Sequence, residues 1–268
     1  MRTLWAALLV AGLTGGGARA ETSQEKGKRV VDEALAALGG QAFLTMRNRV
    51  ETGRIYGFYH EKLSGLGVDS LYTDYLPRPD RPEPGFLGVR VRDARGKKQD
   101  DVILYTEGTG YELTYRGARP LTDILVKQFK VGTLHNFFYI VRQRLGEPGL
   151  IFDSRGSDFL ENRPIEIVDI TDSNNDTVTV YFDQSTKLPS KQVYYRRDPI
   201  DNTKLEEVTL YNKYRDVGGG VKWPLAMVRE RNGEKIFEMY SESVEINQDL
   251  KDSMFTLPQG MKILKKEK

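Results

Sequence analysis

The chain has 268 residues, 29% of them charged, with no cysteine and 40 Lys and Arg against 38 Asp and Glu. The missing thiols exclude disulfide scaffolding, thiol catalysis, thiolate metal centres and a lipid-modified N-terminal cysteine. The near-balanced charge argues against a nucleic-acid partner, whose binders carry a strong basic excess.

Met1-Arg2 precedes a short apolar run from Leu4 to Ala11, and Ala18-Arg19-Ala20 is a small-x-small site before Glu21. That order predicts a secretory signal peptide over residues 1–20, leaving residues 21–268 as one domain. The run is shorter than the ~20 apolar residues of a membrane span. Two of the arginines fall in this leader, so 38 basic side chains remain against 38 acidic ones. An exported chain without disulfides must be held together by its core, which about 250 residues can supply.

Val30, Val31, Ala34, Leu35 and Leu38 recur at helical spacing between Glu25 and Leu38, and Gly39-Gly40 stops that helix. The period then changes to two. Arg49 to His60, Asp69 to Leu76 and Phe86 to Arg92 read as strands, interrupted by the proline-rich "PRPDRPEPG" loop at 77–85. Asp101 to Tyr115 reads as a hairpin turning at Gly108-Thr109-Gly110. Leu121 to Leu145 predicts a helical pair, divided at Gly132 and ended by Gly146-Glu147-Pro148-Gly149.

After Leu150 the pattern is strand and turn. Strands are predicted over Ile165–Ile170, Thr177–Phe182, Gln192–Arg196, Glu206–Tyr214, Val221–Arg231 and Lys235–Ile246. Many sequential strands with tight turns predict one large antiparallel sheet, which curls as its strands twist. The apolar stripe of the helical pair needs cover, and the concave side of the sheet offers it. The expected class is α+β: a curved antiparallel sheet forming an incomplete, half-open β-barrel, with helices covering or plugging its concave apolar face.

Reactive groups are scarce. The two histidines, His60 and His135, lie in no zinc-protease spacing, and no G-x-S-x-G elbow is present. Gly108-Thr109-Gly110 lacks the third glycine and following helix of a phosphate loop. "DSNND" at 172–176 lacks the central glycine and closing Glu of a calcium loop and reads as a polar turn. The sequence assigns no catalytic residue, cofactor or metal, and the chain is expected not to be an enzyme. The informative side chains are apolar. Trp223, Leu225 and Met227 share a strand face, Phe237 and Met239 align on the next strand, and a separate apolar set lies on the helices.

Three stretches resemble a known family: "YFDQSTKLPSKQVYY" (181–195), "YNKYRDVGGGVKWPLAMVRERNGEKIFEMYSESVEIN" (211–247) and "DLKDSMFTLPQG" (249–260). With "ALGGQAFLTMRNRVETGRI" (37–55) they are similar to the periplasmic outer-membrane lipoprotein-sorting proteins, the LolA/LolB-type carriers. The closing signature falls on Asn247, Leu250, Asp252, Phe255, Leu257 and Pro258. The likeness is weaker from about residue 61 to 149, and the chain is longer than the typical carrier. No residue is matched to the classical carrier's cavity arginine.

The resemblance implies a periplasmic lipid carrier without catalysis, its partner a lipid or the acyl chains of a lipoprotein, with envelope membrane proteins as further partners. The expected cavity lining is Tyr56, Phe58, Leu121, Ile124, Leu125, Phe137, Phe138, Trp223, Leu225, Met227, Phe237 and Met239, with Gly132 as hinge. A second reading of the same architecture is a non-catalytic envelope interaction or stress-sensing module with a packed core. A filled interior would favour it.

Overall fold

The computed structural model describes residues 20–77, 85–106 and 108–266. The predicted signal peptide up to Arg19 and the centre of the proline-rich loop lie outside the described residues.

Thr22 and Glu25 form a reciprocal capping box that starts α1 (Ser23–Ala37), which buries Val30, Val31 and Ala34. Gly39 and Gly40 take positive φ beyond it, and a short α2 (Gln41–Thr45), not foreseen from the pattern, buries Phe43. Six strands then run in order: β1 (Asn48–Tyr59), β2 (Lys62–Tyr75), β3 (Val89–Arg95), β4 (Asp101–Thr106), β5 (Thr109–Thr114) and β6 (Gly117–Pro120). Helix α3 (Asp123–Leu134), a short α4 (Phe137–Tyr139) and a π turn (Ile140–Arg144) follow. Seven more strands complete the fold: β7 (Ile151–Leu160), β8 (Arg163–Thr171), β9 (Thr177–Asp183), β10 (Pro189–Arg197), β11 (Lys204–Asp216), β12 (Lys222–Arg231) and β13 (Glu234–Ile246).

The 13 strands of the described residues form one antiparallel sheet, ordered β6-β5-β4-β3-β2-β1-β13-β12-β11-β10-β9-β8-β7. Two meanders thus meet where β1 pairs with β13, from Arg49↔Ile246 to Gly57↔Phe237. The sheet is not closed. Its edges are β6 and β7, and α3, α4 and the π turn are the connection between those two edges. Topology therefore carries this segment across the mouth of the half-barrel.

The β1–β13 joint is clamped by Asn48 and Asn247. Asn247 adopts positive φ and accepts from the Arg47 amide, while Asn48 exchanges two hydrogen bonds with the Gln248 backbone. The tail then crosses the outer face of β2–β6. There Phe255 joins Ala94, Val102, Leu104, Leu113 and Ala118 in a second core, and Arg90 binds Asp74 and Asp252. Asn247, Asp252 and Phe255, three residues of the closing signature, are thus the latch of this tail.

Gly27 sits where α1 crosses β7. A Cβ there would lie 2.6 Å from the Phe152 carbonyl oxygen. Gly27→Ala is expected to lower stability by ~1–3 kcal/mol through overpacking, reversing the usual gain of Ala over Gly in a helix. Urea denaturation checks this.

Candidate functional site

Strand alternation sorts the residues of the concave face. Phe138 lies at the centre of an aromatic plug. Its ring is 4.7 Å from Trp223, 5.0 Å from Tyr211, 6.0 Å from Phe137 and 6.4 Å from Phe43. All five rings are buried. The segment carrying the plug is bound at both walls. The Phe137 amide donates to Gln192 Oε1 on β10, Tyr139 donates to the Leu87 carbonyl, and Arg142 donates to the Met46 carbonyl. Behind it Arg144 is fixed by Glu147, Asp172 and the Leu134 carbonyl. The void enclosed there is about 10 Å³, no more than a single water needs. The outer face of α1 from Gln24 to Ala36 is an open surface outside the half-barrel and carries the ion pairs Lys28–Asp32 and Arg29–Glu33.

The structure brings Phe137, Phe138 and Trp223 together in this plug, with Leu225 half-buried on the same strand. Met227 faces Met239 across β12–β13, and Met239 faces Ile55 across β13–β1, giving an apolar lane. Phe237 stands opposite Arg229 and Gly57. Leu121 is buried against Gly110, where a Cβ would lie 2.7 Å from its Cδ1. Ile124 and Leu125, in the first turn of α3, are exposed.

Tyr56 and Phe58 lie elsewhere. Tyr56 packs edge-on against Tyr240 at 6.0 Å, and Phe58 lies 4.2 Å beneath the Lys235 ammonium. The inward positions of β1 are Gly53, Ile55 and Gly57, since Glu51 and Ile55 share the alternation. Close approach explains the small residue: a Cβ on Gly53 would lie 2.2 Å from the Tyr240 carbonyl oxygen at the β13 bulge. Gly132 does not divide the helices either. Helix α3 continues through it to Leu134, and the break falls at His135–Asn136, where Asn136 caps the Tyr139 amide. A single glycine costs a helix only about 1 kcal/mol, which this one absorbs.

Helix α3 differs from the plug: none of its residues is buried. Phe129 stacks on Tyr105 of β4 at 3.8 Å with rings 5° from parallel, while His135, just past its end, stacks on Tyr194 of β10 at 4.5 Å. Strands β4 and β10 are seven places apart in the sheet, yet one short helix touches both. Curling of the sheet brings the walls that close.

Charged side chains also stand on the concave face. Arg49 lies 3.8 Å over Trp223 and pairs with the buried Glu51 at 3.3 Å, and Ser241 donates to Glu51. On β2 and β3, Asp69 is buried near Asp93, and one oxygen of each carboxyl has no hydrogen-bond partner. Burial first, then the neighbouring Asp93 carboxyl, push the Asp69 carboxyl up to about 8. A raised folded-state pKa means the native state holds a proton the unfolded chain releases near pH 4. The stability from this group is full below about pH 4 and is lost as pH rises through about 8, by at most ~1.4 kcal/mol per pH unit. Asp69→Asn is expected to remove that slope. Denaturation of both proteins at pH 5, 6, 7 and 8 checks it, and equal slopes would refute it.

The sequence matches no protein-family profile and no curated protein. Its three-dimensional form does match solved structures. A domain assigned to outer membrane lipoprotein sorting from Vibrio parahaemolyticus is 11% identical, with 87% of this chain and 97% of that one covered at a TM-score of 0.55. A LolA superfamily protein from Nitrosomonas europaea is 12% identical, with 86% and 97% covered and a TM-score of 0.52. A DUF1329 family protein from Desulfovibrio piger is 10% identical, with 85% and 96% covered and a TM-score of 0.57. The chain has the LolA fold.

Within this LolA fold the concave face divides in two. One part is filled by the aromatic plug. The other is the Met227–Met239–Ile55 lane with charged flanks. Sequence reading missed Phe43, Tyr105, Phe129 and Tyr211, and all of the inward charges. Phe43 was marked by its place in "QAFLT" directly after a helix stop. Arg49 and Glu51 flank Val50, and Asp69 follows Val68, so period two turns the apolar neighbours inward and these charges outward.

Proposed function

We propose that this protein is an exported carrier of a lipid or lipidated partner, acting in the periplasm without catalysis. In this reading residues 1–20 are its cleaved signal peptide and the rest is a single lipid-binding domain. The observation that carries it is α3: an apolar-bearing helix laid across the mouth of a half-barrel with no residue buried, held at one wall by the Phe129–Tyr105 stack. A segment with little buried area opens at low cost. Its displacement would uncover Tyr105 and open the concave face on which Met227 and Met239 lie, and an acyl chain there gains about 25 cal/mol per Å² of apolar area removed from water. Two structures that share the fold, a lipoprotein-sorting domain and a LolA superfamily protein, agree with this use.

The packed aromatic plug favours a second reading, an envelope interaction module whose interior is filled by its own side chains. Native mass spectrometry and lipid extraction after periplasmic expression separate the two. A carrier emerges with bound lipid or takes up a fluorescent fatty acid once stripped. A protein that emerges empty and takes up none is the interaction module.

A further inference from the structure

A compact basic patch adjoins the apolar lane. On β11 and β12, Thr209 faces Arg229 and Glu207 faces Arg231, so the four form two adjacent cross-strand rows. On β10, Tyr194 faces Glu207. Arg196 and Arg231 both donate to Glu207 Oε1, each at 2.9 Å, which leaves the three arginines with an excess of two positive charges. Arg229 is exposed and has no ion pair or hydrogen bond among the described residues. In the next row Tyr211 is 98% buried; its hydroxyl makes no hydrogen bond of good geometry, the Thr209 side chain is close by, and it lies within electrostatic reach of Arg229 and Tyr194. Tyr211 faces Met227, the first residue of the Met227–Met239–Ile55 lane.

An unpaired guanidinium and a buried phenol without a well-formed hydrogen bond, placed side by side, are donors for an anion. Two methionines and an isoleucine running away from them form an adaptable apolar track. We infer that this patch holds the anionic head, carboxylate or phosphate, of an amphiphile whose chain lies along Met227, Met239 and Ile55. The inference rests on the carrier reading and specifies its ligand class. The Arg229 guanidinium and Tyr211 hydroxyl donate to the head group. Glu207 keeps Arg196 and Arg231 in place without cancelling their combined charge.

The test uses the full mature chain with a dansyl-tagged fatty acid, its chain-matched alcohol and its chain-matched quaternary amine. The acid is expected to bind about tenfold more tightly than the alcohol, and the amine more weakly still, the difference shrinking at high salt. Arg229→Met should bring acid and alcohol within about twofold of each other. Because Arg229 is exposed and unpaired, this variant should keep the wild-type melting temperature. Tyr211→Phe should reduce the preference in part, which a purely structural hydroxyl would not do. A phosphate-headed amphiphile of the same chain distinguishes the two head groups. Inorganic phosphate alone should compete only weakly, and binding as tight as the amphiphile's would overturn the inference. Equal affinity for acid, alcohol and amine would also overturn it while leaving the carrier standing. If none of the probes binds, the carrier reading itself fails.

Discussion

Phe138→Ala is expected to cost ~3–5 kcal/mol of stability, the range for removing a large buried aromatic side chain. Phe138 meets four other rings, and each of those is itself buried, so the site cannot collapse easily around the deletion. Tyr211 and Trp223 are on strands, and the α4 backbone is tied to Gln192 and, through Tyr139, to Leu87, which further limits relaxation. The loss should appear as a lower denaturant midpoint with an unchanged slope. A cost under about 1 kcal/mol would show that the plug is loosely held and that its neighbours refill the space.

The second large effect is at Arg144. Its side chain is 5% exposed and pairs with Asp172, 4% exposed, at 2.7 Å. Burial disfavours the Arg144 charge, but Glu147 and Asp172 outweigh it and raise its pKa. Burial likewise opposes the charge on Asp172, yet Arg144 and the amides of Asn174 and Asp176 hold its carboxyl below the usual range. Arg144→Ala strands Asp172 and is expected to cost ~3–5 kcal/mol at neutral pH. A depressed carboxyl contributes stability above its unfolded value near pH 4 and loses it as pH falls through the lower folded value. The gap between wild type and variant should therefore narrow under acid conditions, as urea melts at pH 7, 5 and 3 would show. A gap that stays constant with pH would contradict the assignment.

Much of the fold was legible because its periods are clean. The α1 stripe, the change to period two at β1 and the Asn-Gly and Asp-rich turns after Leu150 each coincide with an element of the structure. The pairing of β1 with β13 was not legible, since period two fixes which face a residue occupies but not which strand lies beside it. The site was legible only where inward residues are apolar. Phe137, Phe138, Trp223, Met227 and Met239 stand on the concave side. Tyr56 and Phe58 were expected there because they are large and apolar, but Gly53 and the bulge opposite it require small inward residues on β1. Inward charges such as Asp69 and Arg49 resemble a solvated face in any single-strand reading. Only the curl of the sheet and the helices laid over it bury them.

In the carrier reading the concave face is reached by moving α3. The chain has no cysteine, so Tyr105→Cys with Phe129→Cys introduces its only two thiols. These positions carry the stacked rings that bind the helix to β4. Bridged by a short bis-thiol reagent, the double variant should take up fluorescent fatty acid at least about tenfold more slowly than either single variant. A reagent that labels both thiols without bridging them should leave uptake fast. Uptake as fast in the bridged protein as in the single variants would contradict the account.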